Sequence, residues 1–274
     1  MKRIMQLNNL CGIDVGCTNI KMVALVNNRI IKKTVPSGDS YTKLNLIDYI
    51  SDFYLSCNHK FDGLGIAFSG YTFDGKSVSK GSLQCLDGLK ISDFSHLNCP
   101  KIELINDSNA TCLAGVLEYP DSKVLLAITN GTAIGMSVAI NGKLFTGASG
   151  IAGEIYGNPV LGPDSHITKV GKLCSGSIIL KSCDSKEAIF QASQYLGMTI
   201  VSIIHTFNPD VIYLSGGGFN YENFIPEIRE FIYSHTYPDF LTNLKIVVSG
   251  FSSYSGCYGA MKKLLDWLNF LYDF

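Results

Sequence analysis

Short apolar runs separated by small turns dominate the start of the chain. Two runs, 11–15 and 20–26, flank a glycine-containing turn, and a third run at 29–35 follows the pair Asn27-Asn28. Apolar runs of this length between turn residues predict β-strands, and a two-residue asparagine connection favours a hairpin. The pattern therefore predicts strand, turn, strand, hairpin and strand.

The same plan recurs in the second half of the chain. Residues 124–128 and 136–140 flank a Gly/Thr turn, and Asn141-Gly142, a strong hairpin signal, leads into 143–145. A recurrence of this kind indicates an internal repeat. Each half then presents an amide-rich turn, and a two-lobed nucleotide cleft needs two such turns.

Longer segments with helical or buried-strand patterns complete the chain. Further strands are predicted at 63–68, 102–105, 211–214 and 246–248. Helices are predicted at 44–55, 111–117, 185–207, 224–235 and 258–270. The apolar stripe of the first helix would be formed by Leu44, Ile47, Ile50 and Tyr54. Alternation of strands and helices predicts an α/β protein.

The composition matters mainly for what it excludes. The 274 residues are 46% hydrophobic and 16% charged, with a net charge of −1, which predicts a well-buried globular protein with no nucleic-acid or membrane partner. No apolar run approaches the roughly 18 residues of a membrane span, and the start lacks the apolar core of a signal peptide. Nine scattered cysteines without a Cys-x-x-Cys pair indicate reduced thiols, a cytoplasmic location and no zinc or Cys/His chemistry.

The candidate reactive group is a carboxylate at the end of a predicted strand. The run 102–105 ends in Asn106-Asp107, and the small residues after it suit a helix start with Ser108 or Asn109 near the cap. Open α/β sheets place reactive groups at the carboxyl ends of their strands. Asp107 is therefore either a reactive carboxylate or only an N-cap, and this stretch alone leaves both open.

Two glycine turns are candidate phosphate sites. In the first, Gly16 permits close approach, Thr18 offers a hydroxyl, and Asp14 stands where a cation that bridges phosphates needs a carboxylate. Lys21 either reaches an anion or is a solvated strand charge. An ordinary glycine hairpin with a capping aspartate would give the same pattern. The second turn, 129–135, again combines glycine and threonine between two predicted strands.

Two other glycine-rich segments are candidates for ligand contact. Residues 147–157 contain one acid, Glu154, which is either a ligand group or a solvated loop acid. The glycines Gly216, Gly217 and Gly218 follow a predicted strand. They would let a flat ring lie against the backbone, or they form an ordinary loop.

With these pieces placed, nearly the whole chain resembles the ROK family of sugar kinases, in the actin/hexokinase-like ATPase superfamily. The matching pieces, in family order, are Asp14-x-Gly16-x-Thr18-x-x-Lys21, Asn106-Asp107-x-Asn109-Ala110, Gly131-Thr132-x-x-Gly135, Gly147-Ala148-x-Gly150-x-Ala152-Gly153-Glu154 and Gly216-Gly217-Gly218. The resemblance implies an α/β, two-lobed actin/hexokinase-like (ribonuclease H-like) ATPase fold with an interdomain cleft. The N-terminal lobe would hold 1–109 and the C-terminal helix 258–274, and the C-terminal lobe would hold 110–257.

The resemblance also implies an activity and a role for each motif. The protein would be an ATP- and Mg²⁺-dependent kinase for a hydroxyl of a hexose or N-acetylhexosamine, with Asp107 as general base. Asn106, Asp107 and Glu154 would bind this small-molecule sugar, and Asp14 would hold Mg²⁺ through water. The nucleotide would contact Asp14, Gly16, Thr18, Asn19, Lys21, Gly131, Thr132, Gly216, Gly217 and Gly218. A homodimer is expected. The alternative is a non-catalytic sugar- or nucleotide-sensing protein of the same fold.

The chain departs from the family pattern around both candidate sites. Gly157 stands where the family has His, and Gly171 stands where a further sugar-binding Glu is expected. Ala133 and Met136 replace glycines of the second phosphate turn. These departures bear on the identity of the sugar and on whether the protein catalyses.

The zinc segment of the family is not recognisable between 157 and 175, so no zinc site is predicted. Ordinary packing should order this segment instead, with Val160, Leu161, Ile167 and Val170 as its apolar contacts. Repressor members of the family carry an N-terminal helix-turn-helix. Only ten residues precede the first predicted strand, so direct DNA binding is not expected.

Overall fold

A computed structural model describes residues 4–38, 40–182 and 185–272 of the chain. The strands are β1 (Leu10–Val15), β2 (Asn19–Val26), β3 (Arg29–Pro36), β4 (Gly63–Phe68), β5 (Gly70–Tyr71), β6 (Lys80–Gly81), β7 (Ile102–Asn106), β8 (Val124–Asn130), β9 (Ile134–Ile140), β10 (Lys143–Phe145), β11 (Pro159–Leu161), β12 (Ile167–Lys169), β13 (Val211–Ser215) and β14 (Lys245–Val248). The helices are α1 (Lys43–Ser56), α2 (Asp107–Glu118), α3 (Gly171–Cys174), α4 (Gly176–Lys181), α5 (Lys186–Phe207), α6 (Phe224–His235), α7 (Pro238–Leu241) and α8 (Ser255–Tyr272). Among these described helices none is both long and apolar enough to cross a membrane.

The chain divides into two compact units. Unit 1 comprises Met1–Pro120, Gly147–Ile151 and Tyr254–Phe274, and unit 2 comprises Asp121–Thr146 and Ala152–Ser253. Each unit has its own five-stranded sheet and its own cluster of buried apolar side chains.

The two sheets have the same topology. In unit 1 the strand order is β3-β2-β1-β4-β7, and in unit 2 it is β10-β9-β8-β13-β14. In both sheets the first three strands form an antiparallel meander, and the last two run parallel to the first strand of the unit. The internal repeat predicted from the turns is therefore confirmed, and the predicted strands and long helices are present.

Helix α1 packs on the unit 1 sheet with a face slightly different from the predicted one. It begins after Thr42, where Thr42 Oγ1 accepts the backbone N–H of Asn45 and the Asn45 side chain accepts the backbone N–H of Thr42. The side chains on its inner face, Leu46, Ile50, Phe53 and Tyr54, are buried. Leu44 is 69% exposed, so its place in the predicted stripe was wrong, because a stripe through Leu46 and Ile50 turns Leu44 outward.

Helix α8 lies against β1, β4 and α2 at very short range, and glycines make this approach possible. A Cβ atom at Gly12 would collide with the carbonyl of Cys257, and one at Gly65 would collide with the carbonyl of Ala260. Gly259 on α8 itself is pressed against the carbonyl of Ala110 on α2 in the same way. Because α2 packs on α8, it belongs to unit 1. The division therefore falls at Pro120 and not at residue 109, where the sequence analysis drew it.

Unit 2 buries its sheet against α5. This helix begins after Ser185, whose Oγ accepts the backbone N–H of Ala188 at 3.1 Å. Its inner face consists of apolar residues that are all buried, as the sequence pattern predicted: Ile189, Ala192, Leu196, Ile200, Ile203 and Ile204. All five residues of the neighbouring β13 are buried as well, as expected for a parallel strand.

The segment without the zinc motif forms a small hairpin of β11 and β12. Val170 is fully buried and Val160 packs against the unit 2 core, as predicted. Leu161 and Ile167 are 63% and 78% exposed, so their predicted core contacts were wrong. The two residues face each other across the hairpin, and strand alternation turns them to the side opposite Val160.

Candidate functional site

Asp107 is the first residue of α2, directly after β7. The N-cap of this helix is Asn106, whose Oδ1 accepts the backbone N–H of Asn109 at 3.0 Å. The expectation of a cap near Ser108 or Asn109 was therefore wrong, and so was the reading of Asp107 as the N-cap. One carboxylate oxygen of Asp107, Oδ1, accepts the backbone N–H of Ser108 at 2.8 Å. The half-buried carboxylate stands at the positive end of the helix, which stabilises negative charge.

Asn106 uses its amide nitrogen to hold two groups at once. Nδ2 donates to the carbonyl of Gly70 at 3.0 Å and to Asp107 Oδ1 at 3.2 Å. The side chain thus links the end of β7 to the start of β5 and orients the neighbouring carboxylate. Both of its N–H donors are engaged, so a sugar could reach only its carbonyl oxygen.

The first phosphate turn lies at the same edge of the unit 1 sheet as Asp107. Strands β1, β4 and β7 are parallel, and the register aligns Val15 with Phe68 and Phe68 with Asn106. Two strand spacings separate Val15 from Asn106, which is about 10 Å. The turn after Val15 and the carboxylate after Asn106 therefore share the carboxyl edge where α/β sheets bind ligands.

Hydrogen bonds inside the first turn define its shape. The N–H of Gly16 donates to the carbonyl of Asn19 at 3.1 Å, so this amide closes the turn. Ser37, directly after β3, makes two hydrogen bonds to this turn. Its Oγ donates to the Gly16 carbonyl at 2.6 Å, and its N–H donates to the Thr18 carbonyl at 2.9 Å. Thr18 is exposed at the tip. Ser37, which lies 21 residues from Gly16, was not among the predicted site residues.

Asp14 and Lys21 form a partly buried ion pair at the base of the turn. The two residues face each other across β1 and β2, and Lys21 Nζ lies 4.0 Å from Asp14 Oδ2. The side chain of Lys21 is 24% exposed and that of Asp14 is 14% exposed. Burial raises the pKa of Asp14, and the charge of Lys21 opposes part of that rise. A Cβ atom at Gly256 would lie 2.6 Å from Asp14 Cγ, so the start of α8 covers one side of this carboxylate.

Asp14 alone supplies too few ligands for Mg²⁺, so further ligands must come from outside the protein. Within the described residues no group of three or more His, Cys, Asp or Glu side chains could hold a metal ion. Mg²⁺ often takes one or two carboxylates and completes its shell with water and phosphate oxygens. Asp14 therefore fits a magnesium ion that arrives with a nucleotide, and it does not form a metal cage of its own.

The second phosphate turn and the glycine run are in contact around one buried residue, Asn130. Its Nδ2 donates to the carbonyl of Cys174 at 3.1 Å, and its Oδ1 accepts the N–H of Gly176 at 2.7 Å. Cβ atoms at Gly216 and Gly218 would collide with Asn130. The structure thus brings together Gly131, Thr132, Gly216, Gly217 and Gly218, which the sequence analysis had assigned to one ligand. Asn130 itself was not among the predicted site residues.

Glu154 is exposed in a loop of unit 2 that is fixed to the start of β9. Gly153 has φ +100° and lies against the carbonyl of Met136, and the Met136 N–H donates to the Gly153 carbonyl at 3.1 Å. Glu154 precedes a single turn of 3₁₀ helix, Ile155–Gly157, without capping it through its side chain. The loop therefore presents this carboxylate to solvent next to its attachment to β9.

The two family departures nearest Glu154 have different surroundings. A Cβ atom at Gly157 would meet nothing within 4 Å. Gly171 is buried, and a Cβ atom there would overlap the ring of Tyr156. The aromatic ring therefore occupies the space beside the position where the resemblance expects a glutamate.

Sequence and fold comparisons agree on one family. The ROK family profile matches residues 10–176 and 166–266. An uncharacterized protein of Clostridium perfringens (strain 13 / Type A) is 24% identical over 282 residues, which cover 90% of this chain and 95% of the relative.

Solved structures of the same fold include both kinases and regulators. A ROK family protein from Streptococcus pneumoniae TIGR4 in complex with sucrose has a TM-score of 0.77 at 21% identity, covering 97% of this chain and 99% of that one. A ROK family glucokinase from Streptomyces griseus in complex with glucose and AMPPNP has a TM-score of 0.77 at 17% identity, covering 93% and 98%. A ROK family transcriptional regulator, a homolog of the E. coli MLC protein, has a TM-score of 0.72 at 16% identity, covering 93% and 78%.

At these identities the structural likeness establishes the fold. The predicted class, α/β of the actin/hexokinase-like ATPase type, is confirmed by the two repeated sheets and by these neighbours. The family profile covers the chain from the first strand into α8. The chain therefore belongs to the ROK family.

Proposed function

We propose that this protein is an ATP-dependent sugar kinase that transfers the γ-phosphate to a hydroxyl of a hexose or N-acetylhexosamine. The observation that carries the proposal is the shared edge of the unit 1 sheet, where Val15, before the first turn, and Asn106, before the anchored and half-buried Asp107, lie two strand spacings or about 10 Å apart. Phosphoryl transfer needs positioning and charge stabilisation rather than covalent help from the protein. A ROK glucokinase of the same fold binds glucose and AMPPNP.

In the proposed reaction Asp107 accepts the proton of the attacking sugar hydroxyl. The hydroxyl oxygen then forms the new bond to the γ-phosphorus while the bond from that phosphorus to the ADP oxygen breaks. Asn106 keeps the carboxylate oriented, because it donates to Asp107 Oδ1. A carboxylate is a suitable acceptor when it is within hydrogen-bond reach of the hydroxyl.

Residues for nucleotide binding are proposed in each unit. In unit 1 these are Asp14, Gly16, Thr18, Asn19 and Lys21, and in unit 2 they are Gly131, Thr132, Gly216, Gly217 and Gly218. Mg²⁺ bound through water to Asp14 would neutralise charge on the phosphates. Glu154, which is exposed in a loop that is hydrogen-bonded to the start of β9, is proposed as a further sugar ligand.

The decisive experiment is a screen for sugar-dependent ADP release. Purified protein with ATP and Mg²⁺ should release ADP with at least one sugar among hexoses, N-acetylhexosamines and ketohexoses, above the rate without sugar. The Asp107→Asn variant tests the proposed base and should lose the activity. The exposed Asp52→Asn variant is its matched control and should keep the activity. Absence of sugar-dependent ADP release from a protein that binds sugar would overturn the kinase proposal.

A non-catalytic sensor is the second candidate. One observation favours it: the Tyr156 ring fills the space at Gly171, where the resemblance expects a sugar ligand. A regulator of the same fold is among the structural neighbours. Calorimetry that detects sugar or nucleotide binding, together with no turnover across the screen, would favour the sensor.

We also propose that the protein is a cytoplasmic homodimer. The eight cysteines whose bonding state the structure describes form no disulfide bonds, which suits a reducing compartment. The dimer is carried over from the family resemblance. Light scattering of the purified protein gives the mass directly, and a value near 30 kDa would contradict the dimer, because one chain weighs 29.9 kDa.

A further inference from the structure

We propose that Asn130 is a positioning residue for the nucleotide: it sets the spacing of the three backbone segments of unit 2 that would receive adenosine and phosphate. This inference rests on the proposed kinase function and deepens it. Asn130 ends β8 and is completely buried, so it cannot touch a bound nucleotide. Its effect would act through Gly131, Gly176 and the glycine run.

The amide of Asn130 joins distant parts of the chain in opposite hydrogen-bonding roles. It donates to the Cys174 carbonyl and accepts from the Gly176 N–H, which are 44 and 46 residues away. A buried amide is costly unless its donors and acceptors are paired. The pairing therefore requires both an N–H donor and a carbonyl acceptor, and asparagine supplies them in one planar group.

The glycines around Asn130 leave no room for a different spacing. Gly216 has φ +114°, and a Cβ atom there would collide with the Asn130 carbonyl. A Cβ atom at Gly218 would lie 2.7 Å from Asn130 Cγ, and one at Gly176 would lie 2.8 Å from the Gly131 carbonyl and 3.1 Å from Gly218 Cα. Gly216 thus lies against the backbone of Asn130 and Gly218 lies against its side chain, so the segments meet at Asn130 with no space for larger residues.

The opposite side of the same segments is open. Gly217 is exposed, and Cβ atoms at Gly217 or Gly131 would meet nothing within 4 Å. Ser177 fastens the turn from the side, because its N–H donates to the Gly131 carbonyl at 3.2 Å and its Oγ donates to the Thr132 carbonyl at 2.6 Å. A nucleotide on this open side would contact the backbone of the turn and of the glycine run, and Asn130 would determine the position of both from the buried side.

The test compares three variants. Asn130→Asp keeps the shape and the acceptor but loses the donor to Cys174, and Asn130→Leu loses both. Tyr213→Phe is the matched control, because it removes another buried hydrogen bond of the same sheet, from Tyr213 Oη to Ser249 Oγ. Loss of a buried hydrogen bond with the donor or acceptor left unpaired corresponds to about tenfold in an equilibrium constant.

The readouts are the Kd of AMPPNP, the Kd of the sugar identified by the screen, the melting temperature, and amide hydrogen exchange followed by mass spectrometry. Asn130→Asp should raise the AMPPNP Kd about tenfold or more and leave the sugar Kd within about twofold. Tyr213→Phe should lower the melting temperature and change neither Kd by more than about twofold. An AMPPNP Kd for Asn130→Asp within twofold of wild type, or equal losses of both ligands, would overturn the proposal.

Hydrogen exchange separates this inference from the kinase proposal. If the wild-type protein binds no AMPPNP, the proposed function fails, and the exchange data still decide the role of Asn130. Faster exchange in Asn130→Asp in peptides covering 130–133, 174–177 and 215–219, without a change in unit 1, would support a residue that holds the three segments together. Unchanged exchange in those peptides would overturn it.

Discussion

Asn106 Nδ2 donates to Asp107 Oδ1 at 3.2 Å, and the same oxygen accepts the Ser108 N–H at 2.8 Å. Two donors on one oxygen fix the plane of the carboxylate relative to α2. Asp107 has therefore lost much of its rotational freedom, and in the proposed reaction this orientation in advance would lower the barrier.

Replacing Asp107 by Asn should abolish most turnover while the nucleotide still binds. The amide has nearly the same shape but cannot accept the hydroxyl proton, and a positioned base contributes about 10²–10⁴-fold. We expect kcat to fall by that factor and the Kd of AMPPNP to stay near its wild-type value. Asp52→Asn, on the exposed side of α1, is the matched control, and near-wild-type turnover in Asp107→Asn would remove Asp107 from the mechanism.

The two roles of Asn106 can be separated by two substitutions. Asn106→Ala removes the cap of α2 and should destabilise the protein by about 0.5–2 kcal/mol. Asn106→Asp still caps the helix, because Asp and Asn are equally good N-caps, but it cannot donate to Asp107 or to Gly70. We expect Asn106→Asp to keep most of the stability and to lose about 10–100-fold in kcat, as small displacements of catalytic groups do.

Calorimetric melting and steady-state kinetics of both Asn106 variants measure these effects. Wild-type kcat in Asn106→Asp would show that the bond to Asp107 has no catalytic consequence. Equal losses of stability in the two variants would show that Asn106 stabilises the fold through its hydrogen bond to the Gly70 carbonyl and not through the helix cap.

The partly buried Asp14 should make the protein less stable as the pH rises. Burial raises the pKa of Asp14 in the folded protein above its usual value of 3.8. Between the unfolded and the folded pKa the folded state binds more protons, so stability is lost as the pH increases through this window. We expect Asn in place of Asp14 to raise the melting temperature at pH 7 and to have a smaller effect as the pH approaches 3.8.

The same substitution gives a functional readout for Asp14. Asp14→Asn should weaken binding of Mg²⁺ and AMPPNP more than binding of sugar, because the carboxylate is the group that a phosphate-bound Mg²⁺ would use. Loss of sugar affinity alone would assign Asp14 to the sugar site. A lower melting temperature for Asp14→Asn at pH 7 would show that the ion pair with Lys21 outweighs the cost of burial.

Gly171 and Tyr156 should behave as a coupled pair. A methyl group at Gly171 would overlap the Tyr156 ring, and overpacking of this kind costs about 1–3 kcal/mol. Tyr156→Ala alone should also destabilise unit 2, but the double variant with Gly171→Ala should cost less than the sum of the two. Calorimetric melting of the four proteins gives the coupling energy, and strict additivity would show that the ring moves away freely.

The local pattern was sufficient to predict most of the fold. The structure of the run 63–68 and of the turn Asn141-Gly142 can be predicted from these residues alone. The reason is that the period of apolar residues and the backbone preferences of asparagine and glycine are local properties. The repeat in the sequence then appears as two sheets with one strand order. Leu44 and Leu161 were misplaced because a short apolar pattern does not determine which face of an element meets the core.

The candidate sites could be predicted only in part. Gly131 and Gly216 were found as motifs, yet their contact depends on Asn130, and its partners are 44 or more residues away. Ser37 closes the first turn from a different strand. Such contacts follow from tertiary structure, so a single sequence without geometry cannot show them. A polar residue at the end of an apolar strand, directly before a glycine turn, was the available signal for Asn130.

The segment that replaces the zinc motif should bind no structural zinc. Its cysteine, Cys174, is buried and donates to the Val170 carbonyl at 3.3 Å, and burial raises the pKa of this thiol to about 12. Zinc binds the thiolate, so at neutral pH this sulfur is protonated and already engaged. Asp164 and His166 lie exposed in the loop of the β11–β12 hairpin, where His166 Nδ1 is 2.9 Å from the Asp164 carbonyl oxygen.

A structural zinc site needs four ligands in tetrahedral arrangement, and the described residues contain no group of three or more suitable side chains. Protein purified without added zinc should therefore contain well under one equivalent, and a chelator should leave the melting temperature unchanged. Cys174→Ser should retain the same low zinc content and should lower stability only through the changed packing of a buried sulfur. Stoichiometric zinc that survives dialysis, with a melting temperature that falls on removal of the metal, would show that ligands from elsewhere in the chain complete a site.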